Sequence, residues 1–350
     1  MLCALTLCAE HQFANTMPSS TKIRLASRVY DGMLPILRGQ MRVPGFEFEI
    51  TETEDVAGMF GGMFKGEYDV SEMSLGELIY YISRDKADFV ALPVFPSRIF
   101  RHGFIFCRKA LAIRNPAELS GKRIGFIRWV QTAAIWMRGM LIDEYGVSAK
   151  DTDWYVASMH HWDDADPSAV VEPRDGSVIR WMRRGGKDVS ERVCGALFDG
   201  EIDALGVTEV QLGSLLANDT VCRLFENPRE VEASYFRKTK ILPIMHVLAL
   251  RRDVAHRHPE LPEKLFRLFS DSKRWAQRWR RALPSLAEAW PNHYLAEERR
   301  IFEIDPWAYG LEANRHVLDA FLSYCNAQGV SARRIAPEEL FHPSTWNLVE

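Results

Sequence analysis

The sequence predicts an α/β fold on a largely parallel sheet, and three observations point there. From residue 22 onward, short apolar runs alternate with helix-period stretches in the order strand, helix, strand, helix. A second series of this kind starts near Ile124, after a proline-rich segment. A late apolar run, Val247-Leu-Ala-Leu250, reads as a strand returning to the first series ahead of a helical tail.

A chain of 350 residues is long enough for two domains with separate cores. Hydrophobic content of 47% and charged content of 26% place it among ordinary globular proteins. A net charge of -3 leaves no electrostatic footprint for nucleic acid. No apolar stretch approaches the ~20 residues needed to span a bilayer, so no membrane partner is expected. The six cysteines (3, 8, 107, 194, 222 and 325) include no CxxC pair, which suits reduced thiols in a cytoplasmic protein. Residues 1–21 read as a disordered extension, with Met17 fitting as a start.

Along the chain, residues 22–27 alternate like a strand, with Arg28, Tyr30 and Asp31 at its carboxyl end. A helical turn at 33–37 and a Val43-Pro-Gly45 turn lead to a second strand, Phe46-Glu-Phe-Glu-Ile50. Residues 53–66 carry Val56, Met59, Phe60, Met63 and Phe64 at helical spacing, which predicts a core-facing helix. Then Tyr68-Asp-Val-Ser-Glu-Met-Ser-Leu75 runs into a helix over 78–82, with Ser74 as its N-cap. This puts Ser71 and Glu72 at a strand end, where ligands bind in open α/β sheets, while the plainer alternative makes them capping and solvated groups. Free amides at the helix start add anion-binding capacity, so the two readings are compatible.

The most distinctive stretch is Pro93-Val-Phe-Pro-Ser-Arg-Ile-Phe-Arg-His102, between the apolar runs 89–92 and 103–107. Two prolines remove ladder donors, so a bend or crossover at the sheet rim is expected. Ser97, Arg98, Arg101 and His102 fall within it, and the cations repel one another unless water or an anion separates them. A solvated basic loop is the ordinary reading. The interleaved Phe95, Ile99 and Phe100 pull this one against a core and favour an anion site.

Residues 115–127 read as a turn, a short helix and a strand. Gln131 and Thr132 then head a helix over 133–145 that Gly146 ends, with Thr132 as N-cap and both residues presented to a ligand. A further strand is expected at 154–157. His160-His-Trp-Asp-Asp-Ala-Asp166 has metal-ligand residue types without a ligand spacing, and reads as a solvated acidic loop. A helix over 193–198 precedes a turn and strand in Gly200-Glu-Ile-Asp-Ala-Leu-Gly206. His246 opens the 247–250 strand, a place where a lone histidine is more often structural than catalytic. Helices over 262–279, 284–294 and 314–328 could wrap the first lobe or form a homo-oligomer surface.

Several of these motifs together resemble the 4,5-dihydroxyphthalate decarboxylase family, and more distantly the type 2 periplasmic-binding-protein-like fold. They are Asp69-Val-Ser-Glu-Met-Ser74, the segment 93–102, Gln131-Thr-Ala-Ala-Ile-Trp-Met-Arg-Gly139 with Asp143-Glu-Tyr-Gly146, Gly200-Glu-Ile-Asp-Ala204, Leu242-Pro-Ile-Met-His246 and Trp307-Ala-Tyr-Gly-Leu-Glu-Ala-Asn-Arg-His316. The likeness covers roughly residues 22 to 343. Gly206-Val-Thr-Glu-Val210 and the loop 158–192 depart from the family pattern, which leaves the exact substrate open.

The resemblance implies two α/β lobes around an interlobe cleft: residues 22–108 with 243–350 as lobe 1, and 109–242 as lobe 2. It implies a carboxy-lyase of aromatic catabolism that converts 4,5-dihydroxyphthalate to protocatechuate and CO2. His102, His246 and Glu72 are then the acid/base candidates. Arg28, Ser71, Ser97, Arg98, Arg101, Gln131 and Thr132 are the substrate-binding candidates. No organic cofactor is needed, and a divalent metal on the histidines and carboxylate stays open. The alternative is a solute-binding protein that holds a small aromatic or carboxylate ligand in the same cleft without chemistry.

Overall fold

The computed structural model describes residues 20–159, 171–183, 188–282 and 289–350. The expected start at Met17, the segment 160–166 and the first part of the expected 284–294 helix lie outside them. The strands are β1 (Thr21–Ser27), β2 (Phe46–Glu52), β3 (Val70–Ser74), β4 (Phe89–Arg98), β5 (Ile105–Arg108), β6 (Arg123–Arg128), β7 (Asp153–Ser158), β8 (Val178–Trp181), β9 (Ala204–Gly206), β10 (Val221–Arg223) and β11 (Ile244–Arg251). The helices are α1 (Leu34–Leu37), α2 (Val56–Phe64), α3 (Leu75–Ile82), α4 (Thr132–Asp143), α5 (Val189–Phe198), α6 (Leu212–Leu216), α7 (Pro228–Thr239), α8 (Arg252–Arg257), α9 (Leu261–Ala282), α10 (Pro291–Ile301) and α11 (Leu311–Ala327).

Two sheets result. The first has the order β2-β1-β3-β11-β4 and the second β10-β5-β9-β6-β7-β8. Parallel pairs are β1 with β2 and β3, β6 with β7 and β9, and β7 with β8. The strands by which the chain enters a sheet from the other one, β5 and β11, pair antiparallel with their neighbours. Both sheets are therefore mixed, because a returning strand cannot keep the direction that a βαβ crossover imposes.

The segment 93–98 is not the bend that its prolines suggest. β4 continues through Pro93 and Pro96 to Arg98. Two conditions make this tolerable. β4 is the edge strand of its sheet. Leu92 pairs with Leu248 and Ser97 with His246, so residues 93–96 bulge opposite Val247. No ladder hydrogen bond is asked of either proline there. The crossover itself follows, over residues 99–104.

The 78–82 helix begins earlier than its apolar spacing suggests, at Leu75, where the Ser74 side chain accepts from the Glu77 amide. Thr132 is the first residue of α4, and the cap position belongs to Gln131, whose side chain makes no capping bond. α10 starts at Pro291, since proline is well suited to the first helical turn.

One core runs beneath α2 and α3 and continues into the second sheet through Phe126, Trp136 and Trp154; a smaller one gathers Phe106, Val193, Leu197 and Leu205 under α5. The two halves are fastened behind the cleft. Trp136 of α4 stacks on Phe321 of α11 and donates Nε1–H to the Ile244 carbonyl of β11 at 2.9 Å. Gly76 lets α3 approach closely, since a Cβ there would stand 2.5 Å from the Val130 carbonyl. Among the described residues no helix is long and apolar enough to cross a membrane.

Candidate active site

The carboxyl ends of β1 and β3 and the start of β11 meet at one point, and Glu72 lies there. Side chains two apart share a face of a strand. In the β3–β11 register Ser74 faces His246 and Glu72 faces Leu248, so Glu72 and His246 are diagonal neighbours on one face. His246 Nδ1 and Glu72 Oε1 are 2.5 Å apart, and the Tyr30 hydroxyl donates to the same oxygen at 2.6 Å. The Arg28 amide donates to Glu72 Oε2 at 3.2 Å. Glu72 is wholly buried. Burial pushes its carboxyl up, but the charge on His246 and the bonds from His246, Tyr30 and the Arg28 amide outweigh this and hold it below the usual range. Burial, then the Glu72 charge, push the Tyr30 phenol up, so it stays protonated. Phe60 packs edge-on against the His246 ring, with centroids 5.3 Å apart.

Above this cluster opens a cleft of about 520 Å³ between the two sheets. The first lobe contributes Arg28, Glu54, Ser74, Ser97, Arg101 and His246, and the second contributes Arg128, Gln131, Thr132, Ser190 and Glu209. His246 lines it with Nδ1 engaged, which leaves Nε2 as the nitrogen available to a ligand. α4 directs its N-terminal amides to the cleft, an arrangement that favours anions. Thr132 Oγ1 lies 2.9 Å from Ser74 Oγ and accepts from the Gly76 amide at 2.9 Å, which joins the two helix starts. Arg28 is paired with Glu54 at 2.8 Å. Arg101 is buried, with Nη1 at 3.3 Å from Glu209 Oε1 and Nε at 3.2 Å from Met245 Sδ.

Of the residues singled out in the sequence, Glu72, His246, Arg28, Ser97, Arg101, Gln131 and Thr132 are thus brought to one place. Three are not. Ser71 sits on the opposite face of β3 from Glu72, with its hydroxyl donated to the Glu72 carbonyl. Arg98 points away from the cleft and is spent on structure: Nη2 donates to the Ala308 carbonyl at 2.9 Å and to Asn314 Oδ1 at 2.6 Å. Burial pushes its guanidinium down to about 10, which keeps it charged at neutral pH. His102 lies in the crossover, boxed by Tyr145, Phe225 and Tyr235. Neither of its ring nitrogens has a hydrogen-bond partner among the described residues. Burial pushes its imidazole down to about 3, and the nearest carboxyl, Glu232 at 3.9 Å, is itself pushed up to about 7 by burial. His102 is therefore a neutral core residue away from the cleft.

Sequence reasoning missed Arg128 and Glu209, which line the cleft, and Tyr30, which bonds Glu72 beneath it. Tyr30 stood in plain view after the first strand, but nothing in its spacing pairs it with an acid 42 positions later. Glu209 belongs to the segment that departs from the family pattern. His246 and Glu72 supply two metal-capable donors, and among the described residues no group of three His, Cys, Asp or Glu converges to hold an ion.

No family model matches the chain. It is 33% identical over 338 residues to 4,5-dihydroxyphthalate decarboxylase of Comamonas testosteroni, covering 93% of this chain and 98% of that protein. It is 26% identical over 210 residues to the enzyme of the same name from Pseudomonas putida, covering 59% and 78%. Among solved structures it is similar to the periplasmic aliphatic sulphonate binding protein SsuA from Escherichia coli, at a TM-score of 0.52 and 12% identity over 95% of each chain. It is also similar to the desulfurization enzyme DSZB, at 0.53 and 14% over 93% of this chain and 98% of that one. The fold is that of the periplasmic solute-binding proteins, two α/β lobes around a cleft. The chain belongs to the 4,5-dihydroxyphthalate decarboxylase family.

Proposed function

We propose that the protein is a carboxy-lyase that converts 4,5-dihydroxyphthalate to protocatechuate and CO2 in the interlobe cleft. The observation that carries this reading is the Glu72–His246–Tyr30 cluster at the floor of an arginine-lined cleft. The names of the two relatives support the substrate. Each carboxylate of that substrate lies para to a phenol. Loss of the phenolic proton to water in the cleft, which returns one to the product phenolate, pushes electron density onto the carbon that bears the carboxylate. That carbon then takes a proton, the bond to the carboxylate breaks, and its electron pair restores the aromatic ring. One proton replaces one CO2.

The cleft suits each need. Arg28, Arg101 and Arg128, with the amides at the start of α4, receive carboxylate and phenolate oxygens. The imidazolium of His246 gives the proton to the ring carbon from Nε2, while Glu72 holds Nδ1 and stabilises the charge before transfer. Tyr30 fixes Glu72 in place. The hydroxyl para to the carboxylate serves as the electron source, so these steps need no organic cofactor or metal. The described cysteines are free thiols, which suits a cytoplasmic location.

The test is to incubate the purified protein with 4,5-dihydroxyphthalate and follow protocatechuate and CO2, with and without a chelator. Turnover unaffected by the chelator is expected. Turnover lost to the chelator and restored by a divalent ion would recast Glu72 and His246 as ligands. Binding of the substrate with no CO2 released would make the protein a solute carrier instead.

A further inference from the structure

Arg101 is the buried arginine of the cleft, with a side chain 6% exposed. A guanidinium so far from water needs a counter-charge. That charge comes from across the cleft: Glu209 Oε1 stands 3.3 Å from Arg101 Nη1. Among the described residues the further side-chain contacts of Arg101 carry no charge: Nε meets the weak acceptor Met245 Sδ, and the guanidinium carbon lies 4.8 Å from the centroid of the Phe104 ring. Glu209 differs from its partner in one respect: its side chain is 54% exposed. The turn that carries it is pinned, because Gln211 Oε1 accepts from the Thr208 amide and hydroxyl, while Gln211 Nε2 donates to Ser190 Oγ at 2.7 Å. The Glu209 carboxylate can therefore swing into water without any movement of the backbone beneath it.

We propose that Glu209 is a built-in stand-in for a substrate carboxylate: it occupies Arg101 while the cleft is empty, yields it to the incoming carboxylate, and takes it back when product leaves. This deepens the decarboxylase reading and rests on the cleft receiving a carboxylate. The exchange runs downhill because the Glu209 contact is a single long bond, whereas a free carboxylate can meet the guanidinium through two. The released Glu209 regains its hydration, so the net cost of displacing it is small. The latch keeps Arg101 compensated in every state.

The experiment is calorimetric binding of phthalate, which carries both carboxylates but lacks the hydroxyls that drive the reaction. It is run on the parent protein, Glu209→Gln, Arg101→Gln and the double variant. Glu209→Gln is expected to bind about fivefold more tightly than the parent, a change of about 1 kcal/mol. Arg101→Gln is expected to bind more weakly, and adding Glu209→Gln to it is expected to change nothing further. Unchanged or weakened binding in Glu209→Gln overturns the latch. Equal tightening in the Arg101→Gln background overturns it too, because that would be a general charge effect. Turnover of 4,5-dihydroxyphthalate by the parent is measured alongside. A protein that shows the binding pattern without turnover keeps the latch and loses the decarboxylase reading; turnover without the pattern does the reverse.

Discussion

Replacing Glu72 by Gln isolates the charge at the floor of the cleft while keeping the shape of the side chain. The carboxylate accepts at both oxygens, from His246 Nδ1 and the Tyr30 hydroxyl at Oε1 and from the Arg28 amide at Oε2. An amide has one accepting oxygen. With that oxygen toward His246 and Tyr30, its NH2 faces the Arg28 N–H and strands a buried donor, which costs about 1–3 kcal/mol. Two charge-assisted bonds also become neutral and lose about half their strength. Relief of the buried charge offsets part of this. A net loss of about 2 kcal/mol in unfolding free energy at pH 7 is expected by urea titration. The sign of its pH dependence follows from the depressed carboxyl. A carboxyl held below its usual value near 4.5 stabilises the fold above that pH, and the benefit drains away as pH falls through the folded value. The gap between parent and variant should therefore shrink as pH falls below about 4.5. Turnover should fall by roughly 10²–10⁴, because His246 loses the partner that holds its proton. A Glu72→Gln protein with parental turnover would remove Glu72 from the mechanism, and a gap that ignores pH would mean that the carboxyl is not ionised.

Three further outcomes are expected. Arg98→Lys loses the guanidinium Nη2 that donates to both Ala308 and Asn314, so it should cost about 1–3 kcal/mol of stability and leave KM unchanged; a raised KM with an intact melting temperature would return Arg98 to the site. His102, with its imidazole at about 3 when folded and about 6.5 when unfolded, draws protons to the unfolded chain; about 2 kcal/mol of stability should be lost through it between pH 7 and 5, and His102→Phe should flatten that slope. Thr132→Val strands the buried Gly76 amide and frees the Ser74 hydroxyl, and should cost about 1–3 kcal/mol, read by thermal unfolding; a cost below about 0.5 kcal/mol would show that the bond between the two helix starts is unimportant.

The α/β class was legible because apolar periodicity is local: the strand at 46–52, the helix at 56–64 and the late strand at 244–251 each announce themselves within a dozen residues. The antiparallel return strands were not, since direction depends on where the chain crosses between sheets. The proline-rich segment misled for a tertiary reason: an edge position and a bulge accept a proline that a central strand would refuse. At the site, Glu72 and His246 could be singled out as polar groups at strand ends, but only the β3–β11 register sets them on one face. Arg98, Arg101 and His102 lie within five positions of one another and looked alike in sequence. Their fates differ because the strand ends at Arg98, so each side chain leaves the chain in a different direction and meets a different element.

The central claim is that His246 delivers the proton that replaces CO2, and one measurement tests it most directly. Parent protein and His246→Gln are each given 4,5-dihydroxyphthalate in D2O, with product release followed alongside substrate affinity by calorimetry. The account predicts that the parent forms protocatechuate with deuterium at the vacated ring carbon. It predicts that His246→Gln is slower by about two to four powers of ten while affinity changes much less, since the arginines and the start of α4 hold the substrate. Full-rate decarboxylation by His246→Gln would contradict it.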